Sequence, residues 1–161
     1  STLTIVEGGK KKVLRDDHTG KITSVNTDLI RVLYEAGYVL VVCPPAISDD
    51  HVAVNVDGDR AAARIAEAVT ADDLVILSNV PGLLRDPDDE ATLIPQIASE
   101  ALNEHFGYAK GRMKKKLMAA QEALDGGVGR VVLGDARIAQ PIRAALGGRG
   151  TVIGRPTDHR A

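Results

Sequence analysis

Apolar runs of strand length alternate with segments of helical period along nearly the whole chain, and few architectures accept that order. YVLVVCPP (38–45), DDLVILSNVPGLL (72–84), RVVLGD (130–135) and GTVIG (150–154) carry apolar residues at successive rather than alternate positions. Strands covered on both faces read this way, and parallel sheets lying between helices are where they occur. VNTDLIRVLYEAG (25–37), RAAARIAEAV (60–69), residues 113–125 and QPIRAALGG (140–148) have helical spacing instead. The expectation is an α/β fold with a mainly parallel open sheet flanked by helices, built as one domain without internal repeats.

Local signals sharpen the outline. Asn26 or Thr27 can cap the first helix, Leu29, Ile30, Val32, Leu33 and Ala36 form its apolar face, and Gly37 can end it. Ala62, Ile65, Ala66 and Val69 share one side of the second. TLTIVEGGKKKVLR reads as a hairpin around Gly8-Gly9, VAVNVDGD as a short strand entering a helix, and DPDDEA as a solvated turn. Pro141 suits a first helical turn, and RPTDHRA reads as a frayed tail.

Composition closes several routes. Aromatics are 2% of the chain, with no Trp, so the core is aliphatic and stacking platforms for single-stranded nucleic acid are not expected. Twenty basic side chains against 22 acidic ones leave no basic footprint for nucleic acid. No apolar stretch is long enough to span a bilayer, and the N-terminus has no secretory pattern, so a cytoplasmic location without membrane contact is the expectation. Cys43 is the single cysteine; with no partner thiol it reads as a small buried hydrophobe. His18, His51, His105 and His159 lack metal-ligand spacing. The chain contains no P-loop, no dinucleotide fingerprint after the first strand and no nucleophile elbow.

Three loops at strand C-terminal ends remain, which is where open α/β sheets bind ligands. In NVDGD, Asn55, Asp57 and Asp59 precede a helix; the carboxylates either cap it or organise cations around a phosphate. In SNVPGLL, Ser78 and Asn79 offer small polar groups and Gly82 permits close backbone approach, although an ordinary turn would use the same residues. GRMKKKLMAA (111–120) opens a helix whose buried stripe is Met113, Leu117, Ala120 and Leu124. At about 100° per residue, Lys116 lies roughly 70° from that stripe's centre, Lys114 about 90° to the other side and Lys115 nearly opposite. Lys115 is then the solvated lysine and Lys116 the one at the core's edge, beside Ala119 and Ala123. A helix N-terminus with Gly111 and flanking cations is an anion site; a solvated basic face is the plainer alternative.

Taken in order, these loops resemble the ATP-binding half of the amino acid kinase family, and within it the acetylglutamate kinase branch. HTGKITSVNTDLIRVLYEAGY resembles that branch's linker strand and helix, NVDGD its N-x-D loop, LSNVPGLL its L-S-D-V-x-G loop, and GRMKKKLMAA its G-M-x-x-K-x-x-A-A helix start. The resemblance runs from about Thr19 to Ile153. VDGD after Asn55, Asn79 in SNVPGLL, and AKGRMKKK are similar to members acting on aminoadipate held by an amino-group carrier protein.

The resemblance implies a kinase that uses ATP with Mg²⁺ to phosphorylate the side-chain carboxylate of an N-blocked acidic amino acid, aminoadipate or glutamate, in lysine or arginine biosynthesis. It implies Asp57 and Lys116 as catalytic residues and Asn55 at the substrate's amino-acid end. Ser78, Asn79, Val80, Gly82, Leu83, Leu84, Tyr108, Lys110, Gly111 and Met113 would line the nucleotide, with no metal-ligating residues. A homodimer or higher homo-oligomer is expected. Asn79 stands in place of the branch's usual aspartate, and Ala53 where acetylglutamate kinases often carry a substrate-binding asparagine. The family's N-terminal half, with its K-x-G-G strand and glycine-rich substrate loop, has no counterpart in these 161 residues. The chain therefore reads as the nucleotide-binding half of such an enzyme, inactive alone; the rival reading is a module that binds nucleotide and catalyses nothing.

Overall fold

The structure, a computed structural model, describes residues 3–7, 10–14 and 20–155. Two compact units divide the chain, Ser1–Ala61 and Ala62–Ala161. In the first, β1 (Leu3–Glu7) and β2 (Lys10–Leu14) pair antiparallel with Glu7 opposite Lys10, as the alternating pattern predicts. The helix α1 (Thr27–Glu35) starts where the cap signal places it: Asn26 Oδ1 accepts from the Leu29 N–H at 3.0 Å, and Gly37 follows with φ +84°. A second antiparallel pair, β3 (Pro45–Ile47) and β4 (Ala53–Asn55), leads to α2 (Gly58–Ala68).

One expected strand of this unit does not form. Residues 38–43 have no regular secondary structure, Val39 and Val41 are over nine-tenths exposed, and Cys43 is exposed rather than buried. The physical reason is that no strand among the described residues pairs with this run, and a strand without partners leaves its backbone groups to water. The α1 face is open for the same want of a covering layer: Leu29 and Val32 are exposed, and none of the helix's residues is buried.

The second unit is built around a four-stranded sheet of order β5-β7-β8-β6. Its strands are β5 (Asp73–Ser78), β6 (Gln96–Ile97), β7 (Arg130–Asp135) and β8 (Thr151–Gly154). β5 with β7 and β6 with β8 are parallel, whereas β7 and β8 run antiparallel, so the sheet is mixed and mainly parallel. β7 carries Val131, Val132, Leu133 and Gly134 in a row, all buried, the continuous apolar signature of a central strand. A short helix, α3 (Leu102–His105), precedes α4 (Arg112–Asp125), and α5 (Pro141–Leu146) starts on proline.

Leu117, Ala119, Ala120 and Ala123 of α4 pack into the core with Ala63 and Ala66 of α2 and with Leu74, Ile76, Val131, Leu133 and Ile153 of the sheet. Of the face expected for α2, Ala66 is buried, Ala62 and Ile65 are half-buried, and Val69 lies past the helix end and is exposed; Ala63 is buried as well. β6 and α3 carry too few residues to print a period on the sequence. At the entry end of the sheet, Arg130 donates to both Asp73 carboxylate oxygens, at 2.6 and 2.7 Å, which ties the first residues of β7 and β5.

Candidate nucleotide-binding site

In the first unit the N-x-D loop follows β4 directly. Asn55 is exposed; its carbonyl accepts from the Gly20 N–H at 2.7 Å, and Val56 beside it is buried. Asp57 is half-buried and caps α2, its Oδ1 accepting from the N–H groups of Asp59 at 3.1 Å and Arg60 at 3.2 Å. The capping reading of this carboxylate is therefore observed. Such a cap also fixes the group's direction, because two backbone donors set where Oδ1 must sit.

In the second unit, Ser78 ends β5 opposite Asp135 at the end of β7, and the Ala136 N–H donates to the Ser78 carbonyl at 2.7 Å. The chain then passes Asn79, exposed, and Val80, half-buried, to Gly82. A Cβ on Gly82 would lie 2.5 Å from Thr151 Oγ1 and 2.8 Å from the Thr151 nitrogen, so only glycine passes β8 this closely. Thr151 is fully buried and pins both legs of the excursion that follows. Its hydroxyl accepts from the Leu83 N–H at 2.8 Å and donates to the Ile94 carbonyl at 2.7 Å. Leu83 and Leu84 bury their side chains in the core, which leaves only their backbone to face a ligand.

Also in this unit, Tyr108 and Lys110 are exposed just ahead of α4, and Gly111 enters the helix at φ +54°, ψ −120°, a conformation that favours glycine. The N-cap of α4, Gly111, has no side chain to bond the first-turn N–H groups, which carry the partial positive charge of the helix N-terminus. Met113 packs on the core from the first turn. The lysines divide as helical geometry predicts: Lys114 and Lys115 are exposed and Lys116 is half-buried on the flank of the apolar stripe. Among the described residues no group of three or more His, Cys, Asp or Glu is placed to hold a metal ion, and no helix is long and apolar enough to cross a membrane.

Sequence reasoning missed a charged cluster beyond Ser78. Arg137 bonds Asp135 and Glu90, and its guanidinium holds the Asp135 carboxyl down to about pKa 2, against a smaller opposing effect of burial. The Arg137 guanidinium is itself held more firmly protonated, first by Asp135 and then by Glu90. The Asp-x-Arg spacing at a strand end was the available signal; the partner Glu90, distant in sequence, was not legible.

The amino acid kinase family model matches residues 1–135. The chain belongs to the amino acid kinase family. Curated members of similar sequence include the LysW-aminoadipate kinase of Deinococcus radiodurans, 58% identical over 148 residues, which are 92% of this chain and 51% of that protein. The LysW-aminoadipate kinase of Thermus thermophilus is 51% identical over 150 residues, 92% of this chain and 56% of that protein. An acetylglutamate kinase from Clostridioides difficile is 38% identical over 139 residues, 83% and 49% of the two chains. The chain thus spans about half the length of the curated relatives it matches. In fold it is similar to N-acetylglutamate synthase from Neisseria gonorrhoeae, with TM-score 0.77 and 24% identity over 97% of this chain and 36% of that one.

Proposed function

We propose that this chain is the nucleotide-binding part of a carboxylate kinase that phosphorylates aminoadipate or glutamate whose amino group is held by a small carrier protein. The observation that carries the reading is the identity of 58% and 51% to two LysW-aminoadipate kinases, against 38% to an acetylglutamate kinase. ATP, entering with Mg²⁺, would be received by Ser78, Asn79 and Val80, by the backbone of Gly82, Leu83 and Leu84, and by Tyr108, Lys110, Gly111 and Met113. Asn55 takes the substrate's amino-acid end. The enzyme works in the cytoplasm as a homo-oligomer.

Transfer to a carboxylate brings an anionic nucleophile against a triphosphate, so catalysis is positioning and charge cancellation. Lys116 suits that task because a lysine ammonium is a compact charge on a flexible stem that can follow the phosphoryl group. Its half-buried place also spares it the full screening of water. Asp57, held in direction by two backbone donors, is the second catalytic residue of this reading.

The test uses the full-length enzyme with carrier-linked aminoadipate and free N-acetylglutamate as acceptors. Carrier-linked aminoadipate should be strongly preferred, and comparable kcat/KM for the two would move the assignment to an ordinary acetylglutamate kinase. Lys116→Ala should lower kcat by about 10² to 10³, the usual loss for one charge-stabilising donor, with a small change in Tm. Lys115→Ala should do little; equal losses from both would reduce the lysines to a diffuse field.

A further inference from the structure

Arg137 stands two residues past the end of β7 and bonds in two directions. Its backbone N–H and Nε donate to Asp135 Oδ1, each at 2.8 Å, and Nη2 donates to Oδ2 at 2.7 Å. Nη1 donates to Glu90 Oε1 at 2.8 Å. Asp135 is the register partner of Ser78, where the proposed nucleotide loop begins. Glu90 opens the short 3₁₀ turn Glu90–Thr92, near the tip of the excursion into which that loop runs.

The two legs of the excursion are joined by backbone contacts. Leu84 bridges Leu93, the Arg85 N–H donates to the Thr92 carbonyl at 3.1 Å, and the Ile94 N–H donates to Leu83 at 2.9 Å. One guanidinium thus joins the residue beside the loop's start to the turn beyond its end. An isolated exposed ion pair would contribute little. Here the Asp135 side chain is only 11% exposed, and the planar fork engages both its oxygens and a second carboxylate at once. Charge matters as well as shape. Without Arg137, Asp135 and Glu90 would present two carboxylates next to a site for a polyphosphate, with Arg149 as a second positive charge acting on Asp135.

We propose that Arg137 is a positioning residue for the nucleotide loop: by strapping Glu90 to Asp135 it holds Ser78–Leu84 in the shape that receives ATP and cancels the carboxylates beside it. The proposal rests on the nucleotide-binding reading above and adds a residue to it. Arg137 acts through Asp135 and Glu90 in this reading, so its loss is felt in ATP binding and not in the chemical step.

The experiment measures MgATP affinity by calorimetry, steady-state kinetics and amide exchange in full-length wild type, Arg137→Ala, Arg137→Lys and Glu90→Ala. Arg137→Ala should weaken ATP binding about tenfold, or about 1.4 kcal/mol. Its kcat should stay within about threefold of wild type and its KM for the acceptor should not move. Arg137→Lys should recover part of the loss, since it restores the charge without the fork. Glu90→Ala, which leaves β7 intact should Arg137→Ala fail to fold, should speed exchange at Arg85 and Ile94 and weaken ATP binding. Unchanged ATP affinity in the variants overturns the proposal, as does an equal loss for both substrates with a lowered Tm and no rescue by lysine. A wild type that binds ATP but phosphorylates neither acceptor would sink the carboxylate-kinase reading alone, leaving the strap judged on ATP affinity. A wild type that binds no ATP overturns both.

Discussion

Tyr38 to Cys43 and Asp73 to Ser78 are six-residue runs of similar apolar character, and the fold treats them oppositely. The second is a strand with Leu74 and Ile76 buried and with β7 in register along its length. The first lies exposed without regular structure. Apolarity makes a strand affordable; a neighbour that satisfies the backbone makes it form. β5 has that neighbour, and the pairing is clamped at its entry end by Arg130 on Asp73 and finished at its exit by the Ala136 bond to Ser78.

The sharpest way to break this contrast is to truncate one apolar residue in each kind of run. Leu133→Ala, in the middle of β7 and buried, should cost about 2–5 kcal/mol by urea denaturation of the 161-residue chain. Val41→Ala should stay within about 0.5 kcal/mol in the same chain. A loss at Val41 as large as at Leu133 would mean that residues 38–43 are covered in solution, by a second copy for example.

A smaller effect is expected where the locked sheet meets the Ser78–Leu84 loop. Thr151→Val keeps the shape of the side chain and strands both the Leu83 N–H and the Ile94 carbonyl, which should cost about 1–3 kcal/mol. Exchange at the Leu83 amide should rise with it, and an unchanged amide would show that the loop finds another acceptor. The smallest effect concerns the sheet's exit end. The folded pKa of Asp135 is depressed to about 2 by the Arg137 guanidinium. The unfolded chain therefore takes up this proton first as pH falls. The stabilisation is present in full above the unfolded carboxylate value and is lost between about pH 4 and pH 2. The Tm difference between wild type and Asp135→Asn should fade over that window; a difference independent of pH would assign the effect to packing.

Much of the local structure, including part of the candidate site, was legible because its signals are local. The Asn26 cap, Pro141 in the first turn of α5, and the division of Lys114, Lys115 and Lys116 into exposed and half-buried all follow from spacings of a few residues. So does Asp57 as a cap, since its partners are two and three residues on. The sequence by itself also indicated the α/β class and three strands of the second unit's sheet, because continuous apolar runs such as RVVLG fit a strand buried on both faces.

Tertiary structure alone decided the rest. Thr151 meets Leu83 across 68 positions and Arg137 meets Glu90 across 47, and no local pattern encodes which distant residue will arrive. The requirement for glycine at position 82 is of the same kind, since the atom that excludes a side chain belongs to Thr151. The fate of residues 38–43 is the clearest case. Their composition permits a buried strand, but burial and pairing are properties of the neighbours a chain acquires, and hydrogen bonds left without a partner are made to water instead.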